Sequence, residues 1–379
     1  MNRHYGMDWL RVGAFGLLIF YHIGMVFVPW NFHAKAPVTV DWIKLPMQAV
    51  NAWRLSLLFV VSGYASRAIF ARQPAAPRFL WGRTKRLIPP LLFGVAVIVP
   101  LQPWFELVGK QGYPASFWHF YRHDYWSWSV IRGLILPTWN HLWFIGYLWV
   151  YTLVLALGLV MLPARARRFL ARAADLVLAG PLLLLVPIAL LAANWAWEFP
   201  GIGETHALID DWSAHRVYFT MFLFGFALRD RVNLWDGIRR WWRLGAVLAI
   251  SGFAVIAIAE ITHPTGTPMG RRLWFWFGVA RCFQSWGAII ALLGIADRYL
   301  NRDAPGRAML TEAVFPFYII HQTIIVALAW PLFWAGFADW AAFLLLVAAT
   351  MTGCWLFYWI GREITPLRPL IGLRARRAG

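Results

Sequence analysis

Apolar runs of about twenty residues recur from one end of this chain to the other, and they limit the possible folds more than any other feature. A helix of about 20 residues crosses the roughly 30 Å of hydrocarbon in a bilayer. Of the 379 residues, 60% are hydrophobic and 14% are charged. No stretch remains for a soluble domain of useful size. The sequence therefore predicts an all-α integral membrane protein with one transmembrane domain over residues 1–379.

We predict about ten membrane-spanning helices. They cover residues 10–29, 50–71, 87–107, 141–162, 176–197, 215–228, 244–261, 273–296, 311–334 and 340–361. The sixth has the shortest apolar core, which alone would also suit a re-entrant segment. Between spans, the aromatic stretch within 103–140 indicates an amphipathic interfacial segment or a wall of a sugar site, and 229–243 indicates a cytoplasmic interfacial helix.

Lysine and arginine are distributed unequally between alternate loops. The loops on the N-terminal side of the membrane hold 24 of them and the opposite loops hold 8. Cytoplasmic loops carry such an excess, so both termini are predicted in the cytoplasm. Without the sixth span, all later loops would change sides of the membrane and this charge difference would be lost. We therefore retain the sixth span in the prediction. The net charge of +18 therefore reflects topology, and no nucleic-acid partner is predicted.

The cysteines and most of the histidines give no sign of a metal site. Cys282 and Cys354 both fall inside apolar segments, where a thiol behaves as a small hydrophobe. Six histidines fall in or near outer loops and are interpreted as surface histidines: His33, His119, His123, His206, His215 and His263. They lack the close pairing of metal ligands, so we predict neither a metal nor a disulfide framework.

The first span carries Asp8, Arg11 and His22. Eleven residues make three helical turns plus about 20°, so Arg11 and His22 share a face, with His22 about 16 Å deeper. A charge at the centre of a span costs roughly 2.5 to 3.5 kcal/mol, so such groups normally face protein or water. Arg11 has an alternative role, because it can snorkel or pair with Asp8. The depth of His22 favours a functional role.

Other spans also carry polar groups within their apolar runs. Arg54 and Ser62 lie on one face of the second span, although Ser62 also suits close helix packing. The remaining members of the set are Arg281 in the eighth span and His321 and Gln322 in the ninth. The acids of the spans fall at span ends, as Glu260 and Glu312 do. We therefore predict a central hydrated tunnel, rich in basic groups, for an anionic or carbonyl-bearing guest.

Several short motifs resemble the membrane acyltransferase-3 family. They are "DWLR" at 8–11 followed by His22, "LFVVSGY" at 58–64, "FLWGRTKRLIPP" at 79–90, "HLWFIGYL" at 141–148 and "FPFYIIHQ" at 315–322. The stretch "YHIGMVFVPWNFH" at 21–33 resembles the glucan branch of that family. Each motif alone is weak, but their order along nearly all predicted helices is fairly specific.

The resemblance implies an enzyme of the bacterial cytoplasmic membrane that moves an acyl group from cytoplasmic acyl-CoA to a hydroxyl of an extracytoplasmic carbohydrate. The glucan branch favours succinyl-CoA or acetyl-CoA as donor and a periplasmic glucan as acceptor. A lipid-linked sugar or a surface polysaccharide stays open as acceptor. The oligomeric state is not predicted.

Within this interpretation, His22 is the general base, and Arg11 steers the pantetheine arm towards it. An acyl-histidine intermediate is the alternative to direct transfer. His321 and Ser62 complete the predicted catalytic set. Arg83, Lys85 and Arg86 are predicted to bind the phosphates of coenzyme A, although topology alone would also place these cations in the cytoplasm. The predicted substrate-binding residues are Arg54, His141, Trp143, Gln322 and Arg281, with His141 at the outer gate.

Two rival classes explain less of the pattern. A transporter or flippase for an anionic or lipid-linked solute accounts for the basic groups, but it predicts inverted repeats, and no matching halves are visible. A structural membrane scaffold leaves the spacing of Arg11 and His22 unexplained. No phosphate loop, zinc-binding pair or serine nucleophile elbow supports another enzyme class.

Overall fold

The computed structural model describes residues 3–72, 74–201 and 203–376, and nearly all of its regular structure is helical. The α-helices are α1 Tyr5–Phe27, α2 Lys44–Asn51, α3 Arg54–Arg72, α4 Ala76–Phe93, α5 Leu101–Gln111, α6 Phe117–His119, α7 Trp143–Met161, α8 Ala164–Val177, α9 Leu182–Glu198, α10 Trp212–Leu228, α11 Val232–Thr262, α12 Arg271–Tyr299, α13 Arg307–Trp334, α14 Asp339–Glu363 and α15 Leu367–Leu370. Short 3₁₀ turns lie at Asp41–Ile43 and Asn140–Leu142, and π-helical turns lie at Gly94–Ile98 and Phe120–Asp124. The predicted all-α membrane class is confirmed.

Eight helical segments among the described residues are long and apolar enough to cross a bilayer, or nine if α8 and α9, bent by 102°, form one broken span. Helices satisfy their own backbone hydrogen bonds, which is what hydrocarbon requires. The predicted sixth span corresponds to α10, which has 17 residues. Each of the ten predicted spans coincides with helix, but the count by length and composition is eight or nine rather than ten.

One predicted interfacial segment is wrong in detail. Residues 229–243 do not form a separate helix, because α11 runs without a break from Val232 to Thr262 and buries Leu234, Trp235 and Ile238. No proline interrupts it.

The aromatic outer segment contains α6, a π-helical turn and an antiparallel hairpin of β1 Val130–Ile131 and β2 Leu134–Ile135. Its predicted role, as an interfacial segment or a wall of a sugar site, stays a prediction.

The hairpin forms because Arg132 and Gly133 both adopt positive φ, at 48° and 86°. Two such residues give the turn that matches the twist of paired strands. Beneath it, Leu107, Phe120, Tyr125 and Leu136 form a small buried cluster. The outer segment therefore has its own core.

The chain divides into two compact units, each made of separate stretches of sequence. Unit 1 comprises Met1–Ala14, Lys44–Gly82 and Val150–Arg307, and unit 2 comprises Phe15–Ile43, Arg83–Trp149 and Ala308–Gly379. Both α1 and α4 contribute to each unit. The prediction of a single domain stays a prediction.

Unit 1 packs through small residues, as helices in membranes commonly do. A Cβ at Gly63 of α3 would lie 1.9 Å from the carbonyl oxygen of Phe222, and one at Gly225 of α10 would lie 1.9 Å from that of Val60. The backbones of α3 and α10 are therefore in direct contact. Gly245 and Gly287 bring α11 and α12 together in a similar way.

In unit 2, a distortion of the helical path precedes α5. Pro89 and Pro90 lie inside α4 and cannot donate backbone hydrogen bonds, and the π-helical turn Gly94–Ile98 follows. A Cβ at Gly94 would lie 2.3 Å from Cδ1 of Leu142, which is fully buried. This turn therefore lies directly against the short 3₁₀ turn that contains His141.

We expect Gly225→Ala to destabilise the protein, because the added methyl would force α3 and α10 apart. Overpacking of this kind costs about 1–3 kcal/mol. The loss should appear as a lower Tm of the full chain in detergent. Gly158→Ala is the matched control, since a Cβ at Gly158 of α7 meets nothing within 4 Å. An equal Tm for both variants would contradict the close contact.

Candidate active site

Two histidines from distant parts of the sequence meet in unit 2. Nδ1 of His22 in α1 lies 2.8 Å from Nε2 of His321 in α13, and the two rings are nearly parallel, at 9°. His321 is fully buried and His22 is half-buried. The two histidines that the sequence ranked highest are therefore in direct contact, with His22 as the more accessible member.

The bonds of His321 fix which nitrogens carry protons. Nδ1 of His321 lies 2.8 Å from the carbonyl oxygen of Tyr318 and 3.1 Å from that of Phe317. Carbonyl oxygens only accept, so this nitrogen must donate. In the neutral ring Nε2 then accepts, and the proton of the contact belongs to Nδ1 of His22. The lone pair of a neutral His22 therefore resides on Nε2.

A third histidine lies against this pair. The His141 ring is perpendicular to that of His321, with centroids 5.1 Å apart. Nε2 of His141 donates to the carbonyl oxygen of Ile319 over 3.0 Å, and the Tyr318 hydroxyl donates to the backbone oxygen of His141. Two imidazoles thus bind three successive carbonyls of α13.

Gln102 of α5 links the surrounding polar side chains and has no exposed surface. Its Oε1 accepts from the amide groups of Asn140 and Gln322, each over 2.9 Å. Its Nε2 donates to Oγ1 of Thr323 over 2.7 Å and, more weakly, to Nδ1 of His141 over 3.4 Å. Every hydrogen-bonding position of this amide is used, so the network has only one arrangement.

The segment after α1 folds back beside His22. The Phe32 ring is nearly parallel to that of His22, with centroids 6.1 Å apart. Its neighbour His33 places Nδ1 2.5 Å from a carboxylate oxygen of Glu106, whose other oxygen lies 2.7 Å from Nζ of Lys110. This ionic group fastens the segment to α5. His33 is therefore not the solvated surface histidine that the sequence suggested.

Lys35 connects the same segment to the end of α1. Its Nζ donates to the carbonyl oxygens of Met25, over 2.8 Å, and Val28. Cations at a helix C-terminus satisfy carbonyls that lack helical partners. Burial, and next the positive charge of Lys110, lower the pKa of Lys35 to about 8.

The other predicted residues of unit 2 lie on α4 and α7. Among the three predicted coenzyme A ligands, Arg83 is buried, Arg86 is half-buried and Lys85 is exposed. Arg86 interacts electrostatically with Arg374 and Glu312. Trp143 is 7% exposed and packs against Tyr147. Their predicted roles stay predictions.

The remaining predicted residues, Arg11, Ser62, Arg54 and Arg281, belong to unit 1. The expected partner of Arg11, Asp8, has one carboxylate oxygen 2.7 Å from both Arg3 and Arg307. Ser62 of α3 accepts a hydrogen bond through its carbonyl from Ser66. Arg54 and Arg281 lie in a separate polar group of this unit.

Sequence reasoning missed several polar residues of unit 2. Gln102 and Glu106 are four residues apart in an apolar run and are 0% and 7% exposed. Their spacing places both on one helix face and was a usable signal. Asn140 and Thr323 are adjacent in sequence to the predicted residues His141 and Gln322, and Tyr318 lies about one helical turn before His321. The expectation of few acids overlooked Glu106.

Comparison with known proteins shows the family of this chain. A family model described as an acyltransferase domain matches residues 4–359. The chain is also similar to glucans biosynthesis protein C of Salmonella paratyphi B and of Salmonella heidelberg, with 26% identity over 156 residues, 40% of this chain and 38% of each relative. The match thus covers under half of those relatives. No solved structure matches the chain significantly.

Because the family model covers nearly the whole chain, this protein belongs to the membrane acyltransferase-3 family. It is a multi-pass membrane protein.

We expect Gln102→Leu to destabilise unit 2, because it removes the acceptor of the Asn140 and Gln322 amides and the donor to the Thr323 hydroxyl. A stranded buried polar group costs about 1–3 kcal/mol. Gln111→Leu in the same helix is the control, since Gln111 is exposed and donates one hydrogen bond. The Tm of the detergent-solubilised protein should fall for Gln102→Leu alone. Equal Tm values would refute the network.

Proposed function

We propose that this membrane protein is an acyltransferase that moves a succinyl or acetyl group from cytoplasmic acyl-CoA to a hydroxyl of a periplasmic or surface carbohydrate, such as an osmoregulated glucan. Its place would be the bacterial cytoplasmic membrane. The partial similarity to glucans biosynthesis protein C supports the acceptor class. The charge bias of the loops supports a topology with the donor on the cytoplasmic side.

The observation that carries the proposal is the 2.8 Å contact between His22 and His321. The carbonyls of α13 hold the proton of His321 on Nδ1, so its Nε2 accepts from His22. His22 is thereby oriented with its basic nitrogen, Nε2, away from His321. A general base requires this arrangement, in which one ring nitrogen is anchored and the other receives the proton.

In the proposed reaction, the oxygen of a carbohydrate hydroxyl attacks the thioester carbon while its proton passes to Nε2 of His22. The resulting imidazolium keeps its hydrogen bond from Nδ1 to His321, which stabilises the positive charge. The carbon–sulfur bond then breaks, and the thiolate takes the proton from His22 to leave as coenzyme A. His22 returns to its neutral form, and the ester remains on the carbohydrate.

Arg83, Lys85 and Arg86 are the proposed ligands for the phosphates of coenzyme A, with Arg11 along the path of the pantetheine arm. Guanidinium groups suit phosphates because they bind two oxygens at once. A hydrated passage through the bundle would bring thioester and hydroxyl together. Direct transfer needs no covalent intermediate on His22.

We expect His22→Ala to abolish acyl transfer while membrane insertion is retained. General-base catalysis contributes about 10² to 10⁴ in rate. Mass spectrometry of periplasmic and surface carbohydrates from cells with either protein would show the acyl mass increments only with wild type. The control is His119→Ala, an exposed residue of the outer segment. Undiminished acylation by His22→Ala would exclude its role as base.

His321 is a positioning residue in this scheme, and His321→Phe tests that role. This variant should lower kcat while leaving KM for acyl-CoA unchanged, because a planar ring is kept while the acceptor for His22 and the donor to the carbonyls of α13 are lost. In the His22→Ala background it should have no further effect, since residues that act through one another are non-additive. Additive losses would assign His321 an independent role.

We expect Lys85→Gln combined with Arg86→Gln to raise KM for acyl-CoA severalfold with little change in kcat, because the charges are proposed to bind phosphates away from the reacting atoms. Release of free thiol by membranes measures both constants. Arg78→Gln, an exposed position in the first turn of the same helix, is the control. An unchanged KM would contradict a role of these cations in binding acyl-CoA, and membrane topology would then be the explanation for their position.

A further inference from the structure

Unit 1 contains a second group of charged side chains, which are buried or half-buried, and it includes Arg281. Arg281 is the eleventh residue of α12, about 15 Å along a helix that is apolar enough to span the bilayer. Its guanidinium donates from Nη1 to Oε1 of Gln48 over 2.9 Å. Within the described ranges, no carboxylate lies within 4 Å of this guanidinium. A cation at this depth thus has a neutral amide as its bonded partner.

The nearest acid in this hydrogen-bonded group is already engaged elsewhere. Glu260 of α11 accepts from Nε2 of Gln48 over 2.8 Å, and its second oxygen lies 3.5 Å from Nζ of Lys44. Lys44 is 6% exposed and offsets the charge of Glu260. Gln48 therefore lies between the ion pair of Lys44 and Glu260 and the guanidinium of Arg281, which has no carboxylate of the described residues within 4 Å.

A second guanidinium adds to the positive charge. Arg54 of α3 is 6% exposed and donates to the side chain of Asn51 over 3.1 Å. Arg54 and Arg281 both act electrostatically on the hydroxyl of Tyr218. That hydroxyl donates to the exposed Glu204 over 2.8 Å.

The group is held rigidly. Nε2 of Gln284, one turn after Arg281 in α12, donates to the carbonyl oxygens of Gln48 and Ala49 over 2.9 and 3.1 Å. These bonds fasten the end of α2 to α12, so Gln48 and Arg281 keep their relative positions. A charged group fixed in this way loses little conformational freedom when it binds a ligand.

An uncompensated charge within the bilayer is costly, and arginines that persist there normally face water or a partner of opposite charge. We propose that Arg281, with Arg54 and Gln48, forms an anion-binding site in unit 1 for a carboxylate or phosphate group. The planar guanidinium presents paired donors that match both oxyanions. This site rests on contacts within unit 1 alone.

Titration calorimetry on the full chain in detergent tests this site with two probes, succinate and inorganic phosphate. Wild type should bind at least one of them saturably, and the probe that binds identifies a carboxylate or a phosphate site. Arg281→Gln should weaken that binding about tenfold or more, because it removes the charge and the paired donors. Arg272→Gln, an exposed position on the same helix, is the matched control and should bind within twofold of wild type.

The proposal fails if wild type binds neither probe, or if Arg281→Gln binds as tightly as Arg272→Gln. Tm values without ligand show whether each variant is folded. If Arg281→Gln does not fold, Arg281→Lys is the variant that tests the proposal. It keeps the positive charge but loses the paired donors of the guanidinium, so it should bind the probe several times more weakly than wild type. Equal affinity for Arg281→Lys and wild type would then overturn the proposal. Acyl transfer is not measured, so this result and the test of His22 are separate.

Discussion

The hydrogen bond between His22 and His321 has a direction, and the chemistry of unit 2 depends on it. Two backbone carbonyls of α13 set that direction, because they accept from Nδ1 of His321 and leave its Nε2 to accept from His22. Backbone carbonyls cannot titrate or change their role. The backbone of α13 therefore determines which nitrogens of the two histidines carry protons, and this orientation of the base does not require an acidic residue.

The group that orients His22 is a neutral imidazole, and this choice of partner fits its location. A carboxylate paired with histidine in hydrocarbon must be desolvated, and the cost of that desolvation offsets much of the attraction. A neutral imidazole performs the same orienting task without a buried charge. The charged cluster of His33, Glu106 and Lys110 is instead attached to the segment after α1, and the three residues are half-buried, buried and exposed respectively.

Much of the fold could be predicted from sequence, because apolar length and loop charge respond directly to the bilayer. The helices α1, α12, α13 and α14 begin and end within a few residues of the predicted spans. The sequence predicted that a new helix begins at residue 244. This boundary was wrong, because the basic, Trp-rich stretch before it belongs to α11. The hairpin at Arg132 and Gly133 depends on backbone conformation at two residues, which an apolar pattern does not reveal.

The candidate site, like the fold, could be predicted from the sequence only in part. His22 and His321 were predictable because a polar group within an apolar run is conspicuous, and both lie deep in their helices. Their contact was not, since it depends on how α1 and α13 pack. Gln102 was missed although it lies in an equally apolar run, within the predicted span 87–107. The roles of Arg11, Ser62 and Arg83 still rest on the sequence.

The π-helical turn at Gly94–Ile98 affects which side chains of the following helix, α5, face the interior of unit 2. Such a turn holds one residue more than an α-helical turn, and one residue corresponds to about 100° of rotation about the helix axis. The amide of Gln102 points towards Asn140 and Gln322 only with that extra residue in place. A relative lacking one residue here would need its glutamine at the neighbouring position, so an insertion or deletion within five residues changes which side chains line the interior.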